Sequence, residues 1–237
     1  NPLIRGKNNN TMTKGKLLLF IFILSLSSCG TAIKTLAGFK NPKVEKKEEL
    51  VSFFAKVLPS QKTYFMTVNE VGNKMDILNN IVLGLNSEIL LFNSFTGEKY
   101  CYQGTEECGG IQMQNAFKNF DQNYFTCKDS SDLNLSSYLE KIIDVSGKKI
   151  DKEELPKADY YIFQNWNKYS GSKKKLQEDV NWLLDLKKNS DLNVAIIFVN
   201  GDMLEDWGLE KNGELPVKFR KENEGFSMTF GELPLKK

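Results

Sequence analysis

The apolar positions of this chain fall into two rhythms that alternate along most of its length. Leu50, Phe53, Phe54 and Val57 recur at i, i+3, i+4 and i+7, which lines one face of a helix, and Pro59 closes it. Thr63–Val68 is β-branched and aromatic and reads as a strand. Leu78, Ile81, Val82 and Leu85 return to helical spacing. Ile89–Phe92 and Lys99–Tyr102 flank Thr96-Gly97 and predict a hairpin. Met113, Ala116, Phe117 and Phe120 predict another helix. Leu135, Tyr138, Leu139, Ile142 and Ile143 predict one more, with Asn134 as its N-cap.

The C-terminal portion has the clearest pattern. Tyr160–Phe163 is a strand, followed by the loop Trp166–Ser172 and a helix with Leu176, Val180, Leu183 and Leu184 facing inward. Val194–Val199 is an unbroken apolar run, as in a strand buried on both faces of a sheet. Leu215–Phe219 and Phe226–Phe230 then form a hairpin around Glu224-Gly225. A strand-helix-strand unit of this length requires a parallel pair with a right-handed crossover. The fold class is therefore α/β, with a mixed sheet. The expected division is an N-terminal α/β lobe over residues 48–143 and a second lobe over residues 144–237.

The N-terminus has a different pattern. Residues 1–11 are polar and without period, and are set aside as a non-native upstream segment. From Met12 the chain shows a basic stretch (Lys14, Lys16), a ten-residue apolar run (Leu17–Leu26) and then Leu26-Ser-Ser-Cys29. Crossing a bilayer takes about 20 apolar residues, so the run is too short to be a span. Leu-Ser-Ser-Cys followed by Gly30 resembles the lipobox of bacterial lipoproteins. The resemblance implies a signal peptide at residues 12–28, lipidation of Cys29 and a lipidated tether over residues 29–47. Gly30 in place of aspartate implies sorting to the outer membrane of a Gram-negative envelope.

Cleavage also alters the charge. Arg5, Lys7, Lys14 and Lys16 all precede Cys29 and no acid does, so removing those four from the 32 basic residues leaves 28 against 30 acidic ones. A near-neutral chain without basic blocks does not suit nucleic acid. The sequence contains no histidine, which excludes Ser-His and Cys-His nucleophilic pairs and histidine-based zinc sites.

Order and spacing in residues 144–237 resemble the thioredoxin-like fold of membrane-tethered redoxins. Asp144-Val-Ser-Gly147 ahead of Ile150 is similar to the hairpin that precedes the redoxin core. Asn200-Gly-Asp202 follows the second strand, and Leu215-Pro216 lies where the family has its cis-proline. The family's Cys-x-x-Cys should fall in Trp166–Ser172, but that loop holds no cysteine, only Ser170 and Ser172. The redoxin chemistry is thus missing from its usual place, and no catalytic residue is assigned.

Several residues remain as candidates. Among Cys101, Cys108 and Cys127, a structural bridge between Cys101 and Cys108 across a short acidic loop is the favoured pairing, with Cys127 left over; a redox role for the pair is the alternative. Trp166, Asn167, Tyr169 and Ser170 form the candidate binding surface, because aromatic residues in a loop are not readily explained by packing. Trp182 reads as core. Asn200, Asp202, Glu205 and Asp206 read as a solvated acidic turn, with a calcium or polar-ligand site as the alternative. Lys173–Lys175 read as a solvated first helical turn, with lipid head groups or glycans as the alternative contact. No metal or cofactor is expected. The sequence and these resemblances point to a membrane-anchored, extracytoplasmic lipoprotein, non-catalytic and thioredoxin-like, that binds a protein or glycan partner or supports an envelope assembly. A thiol-disulfide oxidoreductase using Cys101 and Cys108 and a small-ligand or glycan-binding lipoprotein are the alternatives.

Overall fold

The computed structural model describes residues 39–85, 89–102, 117, 120–127, 133–222 and 225–237. Its framework is a seven-stranded mixed sheet, and the fold is of the α/β class. In chain order the elements are α1 (Lys47–Ala55), β1 (Thr63–Met66), α2 (Lys74–Leu85), β2 (Leu90–Asn93), β3 (Lys99–Tyr102), α3 (Phe120–Asn123), β4 (Tyr124–Thr126), α4 (Leu135–Leu139) and β5 (Ile142–Ile143). They continue with β6 (Tyr160–Trp166), α5 (Lys173–Lys188), β7 (Val194–Asn200), β8 (Val217–Glu222) and β9 (Gly225–Phe230). The sheet order is β4-β3-β2-β6-β7-β1-β5, and β8 with β9 forms a separate two-stranded ribbon.

The expected parallel pair is present. β6 and β7 run in register from Tyr160 opposite Val194 to Trp166 opposite Asn200, and α5 packs on β7. Ser172 caps α5 by accepting from the Lys175 N–H. Val180, Leu183 and Leu186 turn inward, each burial contributing about 1.5–3 kcal/mol. Trp182, expected in the core, is half-buried against it. The Ile89–Phe92 and Lys99–Tyr102 hairpin also forms, as the antiparallel β2–β3 pair.

Four expectations are corrected. Strands from both proposed lobes interleave in one sheet, since β1 pairs with β7 and β2 with β6, so no boundary falls at residue 144. The helix expected through Ile143 stops at Leu139: Asn134 caps α4 with a reciprocal Ser137 bond, but Ile142 and Ile143 pair with β1. A fully buried sheet edge takes two isoleucines as readily as a helix face does, and periodicity alone cannot separate these cases. The Leu215–Pro216 bond is trans, as are all peptide bonds among the described residues, and β8–β9 stands apart from the main sheet. The β-α-β order holds, but the redoxin likeness loses its cis-proline. The fourth correction is the cysteine pairing. Cys101 is bonded to Cys127, with Cα atoms 5.2 Å apart, and not to Cys108, which lies outside the described residues. β3 and β4 are antiparallel neighbours in which Tyr100 faces Thr126, and this register brings the two cysteines together. Most of the helix expected around Met113 and Ala116 also lies outside the described residues.

Side-chain alternation along β6 and β7 gives the sheet two covered faces. On one, Phe54 of α1 meets Trp166 at 4.8 Å and Phe198 at 5.3 Å between ring centroids. On the other, Tyr138 of α4 meets Phe163 at 4.8 Å and Phe92 at 5.8 Å.

Candidate functional site

The C-terminal ends of parallel strands are where open α/β sheets usually leave a ligand crevice. Here that edge lies at Trp166 and Asn200, and α2 is pressed into it. A helix leaves its last four carbonyls without internal partners. Asn165 donates from Nδ2 to the Leu83 carbonyl at 3.2 Å, and Asn167 donates from Nδ2 to the Gly84 carbonyl at 2.6 Å. The Tyr169 hydroxyl lies 3.2 Å from the Ile81 carbonyl and 3.3 Å from that of Gly201. Two glycines permit this contact: a Cβ on Gly201 would come within 2.8 Å of the Gly84 Cα. The loop after β6 is therefore a helix cap supplied by the sheet.

This corrects the expected binding surface. Trp166, Asn167 and Tyr169 are buried, and only Ser170 of the four is exposed. Trp166 stacks on Phe53 and Phe54 and donates from Nε1 to Thr63 Oγ1 at 2.8 Å. Asn167 Oδ1 accepts from the Tyr169 and Ser170 N–H groups, fixing the turn. Phe39 packs edge-on to Tyr169, whose hydroxyl is pushed to a higher pKa by burial and then by Asp202. The aromatic loop looked like a surface because its packing partners come from four distant parts of the chain.

Asn200 and Asp202, expected in a solvated turn, are fully buried at the same edge. Both Asp202 carboxylate oxygens accept from the Lys168 N–H at 3.1 Å, and Oδ2 also accepts from Asn200 Nδ2 at 2.7 Å. Burial pushes the Asp202 carboxyl up to about 7. The hydrogen bonds from the Asn200 side chain and the Lys168 backbone oppose that rise, Glu45 reinforces it and the Lys168 charge counters it. Lys168 Nζ makes a 2.6 Å ion pair with Glu45 and lies 5.7 Å from the Phe53 ring centre. Asp202 thus joins the ends of β6 and β7, with both oxygens engaged. Glu205 is half-buried, and exposed Asp206 pairs with Lys47 at 2.7 Å. No group of three or more metal-ligating side chains gathers among the described residues. Lys173–Lys175 are exposed, with Lys174 and Lys175 paired to Glu178 and Asp179, as a solvated first turn requires.

An open concavity lies at the opposite end of the sheet, where β2 ends beside the start of β6. It is a groove of about 450 Å³ between the β2–β3 turn, α4 and residues 149–153. Phe95, 74% exposed, stands at its rim, Leu135 and Leu139 line it, and Lys149, Asp151 and Glu153 supply charges of both signs. Sequence reading missed it because it forms only when the β2–β3 turn, α4 and the 149–153 segment are brought together. Phe95, beside the turn residues Thr96-Gly97, was the available signal.

The fold and both ends of the sheet define a mixed α/β protein whose usual ligand crevice is filled by its own helix. No family model, curated protein or solved structure matches the chain.

Proposed function

We propose that this chain is an exported lipoprotein, anchored through Cys29, that binds a protein partner in the cell envelope. The observation that carries the reading is the Cys101–Cys127 disulfide, which joins neighbouring strands in a chain that carries the lipobox-like Leu26–Gly30. Structural disulfides persist in oxidising, extracytoplasmic compartments. No helix among the described residues is long and apolar enough to cross a membrane, so the lipid is the anchor this reading invokes. Gly30 favours the outer membrane as its destination.

A binding role is supported by what the surface offers. The groove beside Phe95 combines an exposed aromatic side chain, the residue class that often anchors an interface, with charges of both signs. The thiol-enzyme alternative loses its proposed pair, because Cys101 is bonded to Cys127, and the glycan-loop alternative loses its aromatic face to the core. Membrane fractionation of cells expressing the Cys29→Ala chain tests the anchor. The expected result is loss from the membrane fraction after a high-salt wash, or accumulation of unprocessed precursor. Processed Cys29→Ala protein that stays with membranes at wild-type level would reject the reading.

A further inference from the structure

The tether expected over residues 29–47 is shorter than that: Phe39, the first described residue and ten positions after Cys29, and Val44 are already buried in the fold. The Lys40 N–H donates to the Tyr169 carbonyl at 2.7 Å, while the Tyr169 hydroxyl reaches the Ile81 carbonyl in the last turn of α2. One tyrosine side chain therefore separates the tether's point of entry from α2. Among the described residues, the outward side of α2 and the turn before it carry four of the six exposed large hydrophobics: Val71 (67%), Met75 (65%), Val82 (47%) and Leu83. Met75, half-buried Leu78 and Val82 follow helical spacing, so α2 carries an aliphatic strip on its outer side, beside exposed Asn79, as well as an apolar inner face.

Tether length limits which surface can meet the bilayer. Ten residues span at most about 35 Å, whatever their conformation. A folded body of roughly 190 residues is roughly 40 Å wide, with a path of roughly 60 Å round to its far side. A chain lipidated at Cys29 therefore brings the edge holding Phe39, Tyr169 and α2 toward the membrane and cannot lay the opposite face on it. We propose that the exposed aliphatic face of α2, centred on Met75 and Val82, rests on the lipid surface, leaving the Phe95 groove directed away from it. Aliphatic side chains of a surface helix partition into the head-group boundary by burying apolar area, and a lipid chain on the same edge adds to that attachment. The inference rests on the Cys29 anchor.

The test uses the full chain expressed in cells, with a benzoylphenylalanine photo-cross-linker in place of Val82. A second chain carries the cross-linker in place of exposed Lys157, beside the start of β6 at the other end of the sheet. The expected result is phospholipid adducts at position 82 in several-fold excess over position 157. Should the Val82 substitution fail to accumulate, Met75 provides the same readout. Adducts to another protein or to a second copy, or equal lipid labelling at 82 and 157, would overturn the proposal. The mass of the N-terminal peptide is read from the same samples. A lipidated Cys29 without lipid adducts at 82 defeats the docking alone, whereas an unmodified Cys29 defeats the anchor and the docking together.

Discussion

Replacing Asp202 by asparagine should flatten the pH dependence of stability at the centre of the fold. Burial raises this carboxyl from an ordinary 3.8 to about 7, so over the interval between those values the folded chain holds a proton that the unfolded chain has released. Stability then falls as pH rises, because the unfolded state binds fewer protons. The slope is about 1.4 kcal/mol per pH unit, which amounts to a loss on the order of 4 kcal/mol by pH 7 and no further loss above it. Asparagine cannot ionise and removes this slope. It also exchanges an acceptor for a donor facing Asn200 Nδ2, which shifts the whole curve by a constant but leaves its slope unaltered. The quantity to measure is therefore a difference, the unfolding free energy of wild type minus that of Asp202→Asn, from urea titrations at several pH values between 4 and 9. Titration of groups remote from Asp202 cancels in that difference. It should decline from pH 4 to pH 7 and then level off. A difference constant between pH 5 and 8 would refute the reasoning, since it would mean that Asp202 titrates like a solvated carboxyl.

Other substitutions report on the same architecture. Non-reducing digestion should yield a peptide pair joining Cys101 to Cys127, and Cys101→Ser with Cys127→Ser should lower stability by about 3.5 kcal/mol, from the loop entropy of their 26-residue separation. A Cys101–Cys108 peptide pair would contradict the strand register. Gly201→Ala forces its Cβ against the Gly84 backbone and should cost about 1–3 kcal/mol in chemical denaturation; an unchanged midpoint would mean that α2 does not press on this edge. Asn167→Ala removes two acceptor contacts and the donor to Gly84 and should cost about 1–3 kcal/mol, with faster amide exchange at Tyr169 and Ser170 as its local signature.

Much of the framework was legible in residue order because local periodicity is set by the same burial that builds the sheet. Val194–Val199, apolar at every position, had to be a strand covered on both faces, and with Tyr160–Phe163 and the intervening helix it required a parallel pair. The Asn134 cap and the β2–β3 hairpin depend on contacts only a few residues apart and were equally readable. Contacts between distant segments were not. Whether Trp166 and Tyr169 face solvent is decided by Phe53, Phe54, Phe39 and the end of α2, up to 130 positions away, so no local signal distinguished a binding loop from a buried cap. The cysteine pairing followed strand register, not spacing, and the acidic character of Asn200–Asp206 concealed one carboxylate sealed beneath the Lys168–Glu45 ion pair. By itself, the sequence determined the alternation of elements and the class of the fold, because each rests on hydrophobic period. Tertiary structure alone decided which edge is closed, which groove is open and which acid is buried, because these depend on what the chain brings together across the sheet.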